Sequence, residues 1–318
     1  VSVPEWTPEL VVGADLARAL VTARFPELRA ERVERLGQGW DNAAYLVDGT
    51  VVFRFPQRAI VAPLLETEIA VLPKLAPLLP VAIPVPRWIG TPDATYPWHF
   101  AGYALLRGTP LDVAHPDDAA RAALARPLAR FLRALHAVDP APYVAAGLPG
   151  DLIGRLDARK RNPLAAGRLE ALVEADVLTR AGAAAIMGAL ERDAPPEAPE
   201  RLTVVHGDLY ARHLLLDETH ALAAVIDWGD VHNGDPAADL MVAHEILPQP
   251  EHAAFLAEYG CVGETTWRRA RWRGLYHAIL VADYGLAIRD EALARGGLDA
   301  IARIMSPVER SGRSTGVQ

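Results

Sequence analysis

Two short apolar runs in the middle of the chain each end in carboxylates. They are Val204-Val205-His206-Gly207-Asp208-Leu209 and, further on, Ala223-Ala224-Val225-Ile226-Asp227-Trp228-Gly229-Asp230. Between them His213, five residues beyond Asp208, opens a third run that stops at the polar turn Asp217-Glu218-Thr219. Folded as a hairpin, this stretch gathers a proton acceptor and two metal ligands within a few ångströms. That is equipment for moving a phosphoryl group, where positioning and charge neutralisation do most of the catalysis. Asp208 would accept a proton from an attacking hydroxyl, or orient it. Asp227 is a hard oxygen donor suited to Mg2+ between two nucleotide phosphates, with His213 placed to join it. His206 is expected to brace the loop through backbone hydrogen bonds. A single Asp after a strand is an ordinary turn former; two, with a His at each end of the first loop, say more.

The pattern His-Gly-Asp-Leu, a potential metal ligand five residues after the Asp, and then Ile-Asp-Trp-Gly-Asp resembles the aminoglycoside and macrolide phosphotransferases. The continuation Asn233-Gly234-Asp235-Pro236-Ala237-Ala238-Asp239-Leu240 resembles them too. The likeness is sharp from about Val204 to Leu240 and extends over most of the chain. It implies an α+β, bilobal, protein-kinase-like fold, with a small antiparallel-sheet lobe over residues 1–106 and a larger, mostly helical lobe over 107–318. By the same resemblance Asp208 is the catalytic Asp, while His213 and Asp227 hold Mg2+, or Mn2+, since imidazole is a softer donor than the usual Asn. Relatives with His at this position often accept GTP, so the co-substrate is ATP or GTP. The acceptor is a small hydroxylated molecule, antibiotic-like or a metabolite.

Other elements must bring the nucleotide to this hairpin. Leu36-Gly37-Gln38-Gly39-Trp40-Asp41-Asn42-Ala43 reads as strand, turn, strand, and Gly37, Gly39 and Asn42 match the family's short phosphate-covering turn. Arg54 sits between Phe53 and Phe55 in an alternating strand, where a kinase carries its phosphate-binding Lys; guanidinium can fork onto the same oxygens. Its expected partner is Glu68, in a short helix from Leu64 to Leu72, with Glu66 the second choice. Taken singly, each reads as a surface charge; their order along the chain favours function. Trp98 to Leu106 reads as a strand leading into a hinge, with Tyr103 to Leu106 nominated to face the purine. Asp230 and Asp235 are placed in support: Asp235 caps the helix that follows Pro236 and braces the catalytic loop, and Asp239 faces back toward it.

Composition excludes several alternatives. The 318 residues suffice for two cores, at 51% hydrophobic and 23% charged. The formal net charge of −8 disfavours nucleic acid as a partner. The single Cys261 cannot form an internal disulfide, which points to a reducing, cytoplasmic setting, and is read as packing filler. The most apolar stretch, Val71 to Trp88, is broken by prolines and Lys74, so no membrane span is expected, and no leader is expected at the first residues. Arg268, Arg269, Arg271 and Arg273 are read as a solvated helix face, as is Ala158 to Arg161. Pro127 should kink the helix begun at Pro116-Asp117-Asp118 and carrying Leu128, Phe131, Leu132 and Leu135. From Val262 onward there are six acidic residues against nine arginines, the wrong sign for gripping a polycation. Three readings remain open: a small-molecule kinase, a metal-dependent hydrolase built on His206, Asp208, His213, Asp227 and His232, and a nucleotide-binding module without turnover.

Overall fold

Alternation decides which side of the first sheet each residue faces. The computed structural model describes residues 8–38, 42–195 and 198–306. After α1 (Ala14–Arg24) come β1 (Val33–Gln38), β2 (Asn42–Val47) and β3 (Val51–Pro56), then α2 (Ala62–Leu75), β4 (Pro86–Gly90) and β5 (Phe100–Ala104). The strands form one antiparallel sheet in the order β1-β2-β3-β5-β4. Phe53 and Phe55 point to one face, where they meet Phe100, Tyr96 and the apolar side of α1. With a period of two, Arg54 must point to the other face, which α2 covers with Leu65 and Glu68. Each buried phenylalanine contributes about 1.5–3 kcal/mol, so the aromatic layer fixes the register that presents Arg54.

Two elements differ in length from expectation. Helix α2 runs through Pro73, because that residue lies in the last turn, where one lost hydrogen bond ends little. Strand β5 stops at Ala104, after which only Leu105 N–H reaches across, to Thr50 O at 2.8 Å.

The remainder is helical around three small strand pairings. β6 (Thr109–Pro110) leads into α3 (Leu111–Ala114), α4 (Asp118–Ala123), α5 (Ala125–His136), α6 (Ala141–Ala145), α7 (Ala158–Glu174) and α8 (Arg180–Arg192). Then come β7 (Thr203–Val205), β8 (Leu214–Leu216), β9 (Leu222–Val225) and β10 (His232–Gly234), followed by α9 (Ala237–Ile246), α10 (His252–Tyr259), α11 (Glu264–Ala287) and α12 (Glu291–Met305). β8 joins β6 and β9, and β7 pairs with β10, which holds the two Asp-bearing turns side by side. The whole is the bilobal α+β arrangement the resemblance implied.

Helix α9 is buried on every side, so it forms the centre of this region, with α11 packed along it. The expected kink at Pro127 falls instead at Leu124, where α4 ends; Pro127 takes the first turn of α5, where a missing N–H costs nothing. Of the arginine run only Arg268 is exposed as expected. Arg269 and Arg273 are buried, Arg269 on Asp235 at 2.6 Å, and Arg271 pairs with Asp193. Arg161, at the start of α7, likewise turns inward over the Tyr276 ring. Cys261 is exposed, not packing filler.

Helices α11 and α12 cross closely enough that a Cβ on Gly297 would lie 2.4 Å from Ala282 N and 2.8 Å from Ala278 O. Alanine gains at most about 1 kcal/mol in a helix interior, whereas overpacking backbone costs about 1–3 kcal/mol. Gly297→Ala should therefore lower the urea midpoint of unfolding, while Gly167→Ala in α7, where a Cβ meets nothing within 4 Å, should raise it.

Candidate active site

The turn after β7 is held by one buried carboxylate. Asp239, in the first turn of α9, accepts the N–H of His206 at 2.7 Å and of Gly207 at 2.8 Å, and meets His136 Nε2 at 3.1 Å. Burial pushes Asp239 up, but the His136 contact and the loop amides hold it below the usual carboxylate range. Gly207 has φ +86°, and a Cβ there would lie 2.4 Å from Asp230 O, so only glycine makes this turn. Arg155 closes it from below: Nε donates to Gly207 O at 2.9 Å, and the guanidinium pairs with Asp151 and Asp230. Asp235 braces differently from expectation. It accepts Ala237 N–H at 2.9 Å and Arg269, so it caps α9 and anchors α11, leaving the loop to Asp239.

His206 ties the two Asp turns together. Its Nε2–H donates to Ile226 O at 3.0 Å, its Nδ1 accepts Asp208 N–H at 3.3 Å, and Trp228 packs against the ring at 4.7 Å. Both nitrogens are used with the ring neutral, and burial lowers its pKa in the same sense. His232 is also engaged, donating from Nδ1 to Asp230 O at 2.7 Å. Among the described residues no group of three or more His, Cys, Asp or Glu side chains converges to hold a metal, and the five-residue hydrolase cluster is not assembled.

His213 and Asp227 do meet. His213 Nδ1–H donates to Asp208 O at 2.7 Å, which leaves the Nε2 lone pair facing Asp227 Oδ2 at 3.4 Å. Neighbouring ligands on an octahedral cation with ~2.1 Å bonds stand about 3.0 Å apart, so the pair fits Mg2+. Asp227 takes positive φ, +63°, to present its carboxylate, and its other oxygen accepts Arg54 Nη2 at 2.9 Å. Arg54 Nη1 is 3.0 Å from both Glu68 oxygens, and Tyr103 donates to Glu68 at 3.2 Å. Burial raises Glu68 to about 7 although Arg54 opposes it. Tyr103 thus lies beneath the ion pair, with its hydroxyl committed to Glu68. Glu66 is exposed and meets His99 instead. Gly37 pairs with Ala44, Asn42 starts β2 with its Oδ1 buried and unpartnered, and Leu106 follows β5 half-buried. Gly39 lies outside the described residues.

Asp208 stands between two imidazoles, one of them missed by the sequence. Oδ2 is 3.8 Å from His213, and Oδ1 is 3.4 Å from His277 Nε2 on α11. His277 Nδ1 is 2.9 Å from Glu245 on α9, and Tyr210 packs between the rings of His213 and His277 at 4.4 and 4.9 Å. Burial opposes the charge of His277, yet Glu245 and Asp208 raise it to about 9. Asp208 is held well below the usual carboxylate range against its burial, by His277 first and then His213. His277, Glu245 and Arg155 belong to no local motif, and Tyr210 lies inside the Asp208–His213 stretch without having been singled out. The only signal for the first two is a polar residue inside a locally apolar run, Ala243 to Leu247 for Glu245 and Gly274 to Ala282 for His277.

A model of the phosphotransferase enzyme family matches residues 32–273. The GDP and kanamycin complex of APH(2")-IIIa superposes with a TM-score of 0.66 at 26% identity, covering 91% of this chain and 97% of that one. Macrolide 2'-phosphotransferase MphH from Brachybacterium faecium gives 0.61 at 24%, covering 93% and 99%, a likeness of fold. The uncharacterized protein YcbJ of Bacillus subtilis (strain 168) is 27% identical over 206 residues, 58% of this chain. The match spans 60% of the length of that curated relative. No described helix is long and apolar enough to cross a membrane.

The charge on His277 gives a signed pH dependence. Its folded pKa lies above the ordinary 6.5, so its stabilisation is fully present below about pH 6.5 and is lost as pH rises through about 9. The stability difference between wild type and His277→Gln should be larger at pH 6 than at pH 10 by on the order of 3 kcal/mol. Urea unfolding at several pH values measures it; a difference independent of pH would mean that the ring is neutral in the fold.

Proposed function

Because the chain belongs to the phosphotransferase enzyme family, we propose that it is a kinase moving the γ-phosphate of ATP or GTP to a hydroxyl of a small molecule. The observation that carries this reading is the position of Asp208. One oxygen faces His277, and the other faces the side where His213 and Asp227 present an unshared nitrogen and oxygen. Residues 1–106 would hold the nucleotide, with Gly37, Gly39 and Asn42 over its phosphates and the Tyr103–Leu106 segment at its base. Residues 107–318 would hold the catalytic loop and the acceptor. GTP is favoured as donor by the GDP bound in the aminoglycoside relative.

In this reading the acceptor hydroxyl donates to Asp208, which aligns its oxygen with the γ-phosphorus. The new O–P bond forms as the bond to the β–γ bridging oxygen breaks, nucleoside diphosphate leaves, and the hydroxyl proton passes to Asp208. Asp227 and His213 would hold Mg2+, which when bound would supply charge neutralisation at the phosphates. Arg54, kept straight by Glu68, would move from Asp227 toward the inner phosphates. The transition state is loose, so the hydroxyl needs orientation more than deprotonation, and a weakly basic Asp208 suffices.

Thermal unfolding with Mg-ATP, Mg-GTP and Mg2+ alone tests the first half. A nucleotide at about 100 times its Kd should stabilise the wild type by roughly 2.7 kcal/mol, and Asp227→Ala should lose most of this. For the second half, Asp208→Ala should lower kcat by about 10²–10⁴-fold while nucleotide affinity changes little. Loss of nucleotide binding in step with turnover would remove Asp208 from the chemistry and assign it to architecture.

A further inference from the structure

Among the described residues the guanidinium of Arg273 has no hydrogen-bond or ion-pair partner. It lies on α11 one helical turn before His277, and the side chain is 6% exposed. Its Nε is buried without an acceptor, and among the described residues it makes neither hydrogen bond nor ion pair. An arginine so buried is ordinarily matched to a carboxylate. The ring of Tyr276 lies beneath it, 5.7 Å from the guanidinium carbon, and Arg161 reaches the same ring at 5.6 Å. Arg161 donates only to the carbonyls of Ile153 and Gly154, and the Tyr276 hydroxyl is buried and unpartnered. Two cations and one hydroxyl thus gather with no described carboxylate within ion-pair distance of Arg273; Asp208 and Glu245 act on it only from further off.

The cluster stands on one defined side of Asp208. Oδ2 of that residue faces His213 and the metal-binding pair; Oδ1 faces His277, and Arg273 is the next residue along that helix face. The nucleotide would approach from the first side, so the second belongs to the acceptor. Several carboxylates on this side are already paired, Glu245 with His277, Asp283 with Arg168, and Asp112 and Asp290 with Arg212, although Asp112 keeps one buried oxygen unpartnered among the described residues. Burial, reinforced by the neighbouring Arg155 and Arg161, lowers the pKa of Arg273 to about 10 against the opposing pull of Asp208 and Glu245.

We propose that Arg273, with Arg161 and Tyr276, forms a subsite for a carboxylate on the acceptor, making the preferred substrate a hydroxylated acid. The planar fork of guanidinium matches a carboxylate in two parallel bonds. The assignment rests on the kinase reading for its place beside the reacting hydroxyl, and the experiment separates the two. Phosphorylation with ATP and GTP is measured on pairs differing in one carboxylate, glycerate against glycerol and glucuronate against glucose, with kanamycin and glycerol 3-phosphate alongside. In the same series, thermal unfolding is followed with tartrate against chloride at matched ionic strength, for wild type, Arg273→Gln, Arg273→Lys and Arg161→Gln.

The acidic member of each pair should be preferred by roughly 10- to 100-fold in kcat/KM, the weight of one charge-assisted contact. Arg273→Gln should erase that preference through KM, Arg273→Lys should keep part of it, and Arg161→Gln should weaken it even if Arg273→Gln fails to fold. Tartrate should protect the wild type and not Arg273→Gln. Equal or better turnover of glycerol, glucose or kanamycin, or equal protection of every variant by tartrate, overturns the subsite. Preference for glycerol 3-phosphate over glycerate overturns the carboxylate in favour of a phosphate. Tartrate protection that depends on Arg273, without phosphoryl transfer to any compound or stabilisation by either nucleotide, leaves the anion site standing and sinks the kinase reading.

Discussion

The site depends on burying one negative charge, Asp239, beneath the loop it organises. A carboxylate in that position costs several kcal/mol unless its oxygens are satisfied. Here two loop amides and His136 do so, and Tyr259 holds the far side of that imidazole at 2.8 Å. The satisfaction is mutual, because the turn at Gly207 leaves two N–H groups that need an acceptor. From this clamp the rest follows geometrically. His206 can then link both Asp turns, and His213 can donate to the Asp208 carbonyl and free its other nitrogen. Remove the charge and the amides are orphaned; remove the glycine and the amides cannot reach it.

Two chains of alternating charge run outward from the loop. One goes from Asp227 through Arg54 to Glu68 and Tyr103, and joins the sheet of residues 33–104 to the hairpin that carries the two Asp turns. The other goes from Asp208 through His277 to Glu245, and joins the hairpin to α9 and α11. They differ in kind. Arg54 keeps its charge at every accessible pH, so the first chain is fixed in sign. The second turns on an imidazole, whose charge exists only because carboxylates stand on both sides of it. Asp227 stays about half exposed, and Glu68 is almost wholly buried, so a ligand can compete for Arg54 at one end while the other end remains anchored.

What the sequence made legible follows from how far apart interacting residues lie along the chain. Asp208, His213 and Asp227 share one hairpin, so their spacing alone suggested that they meet. Arg54 and Glu68 were reachable because strand alternation assigns Arg54 a face and a helix follows at once. His277 and Glu245 were not, because only the packing of α9 on α11 unites them, and neither sits in a recognisable motif. The arginine run was misread for the same reason. Four arginines in six residues look solvated, and Arg268 is, but the partners that draw Arg269 and Arg271 inward, Asp235 and Asp193, are far away in sequence. Tyr103 to Leu106 were nominated for backbone contact with the purine, and that leaves the Tyr103 ring free to lie under Glu68, where parity on β5 turns it.

The depressed basicity of Asp208 fits its surroundings better than a strong base would. Raising that pKa would require removing His277 or His213, and each does something else: one carries charge to Glu245, the other presents its nitrogen to Asp227. A general base must balance proton affinity against being ionised at working pH. When the phosphorus–oxygen bond to the leaving group is largely broken before the new bond forms, the attacking hydroxyl becomes strongly acidic only late. A carboxylate that stays ionised and fixed in direction then contributes more through alignment than it loses in affinity for the proton. The rigid loop, the two flanking imidazoles and the Asp239 clamp all act on direction, and none of them acts to make Asp208 a stronger base.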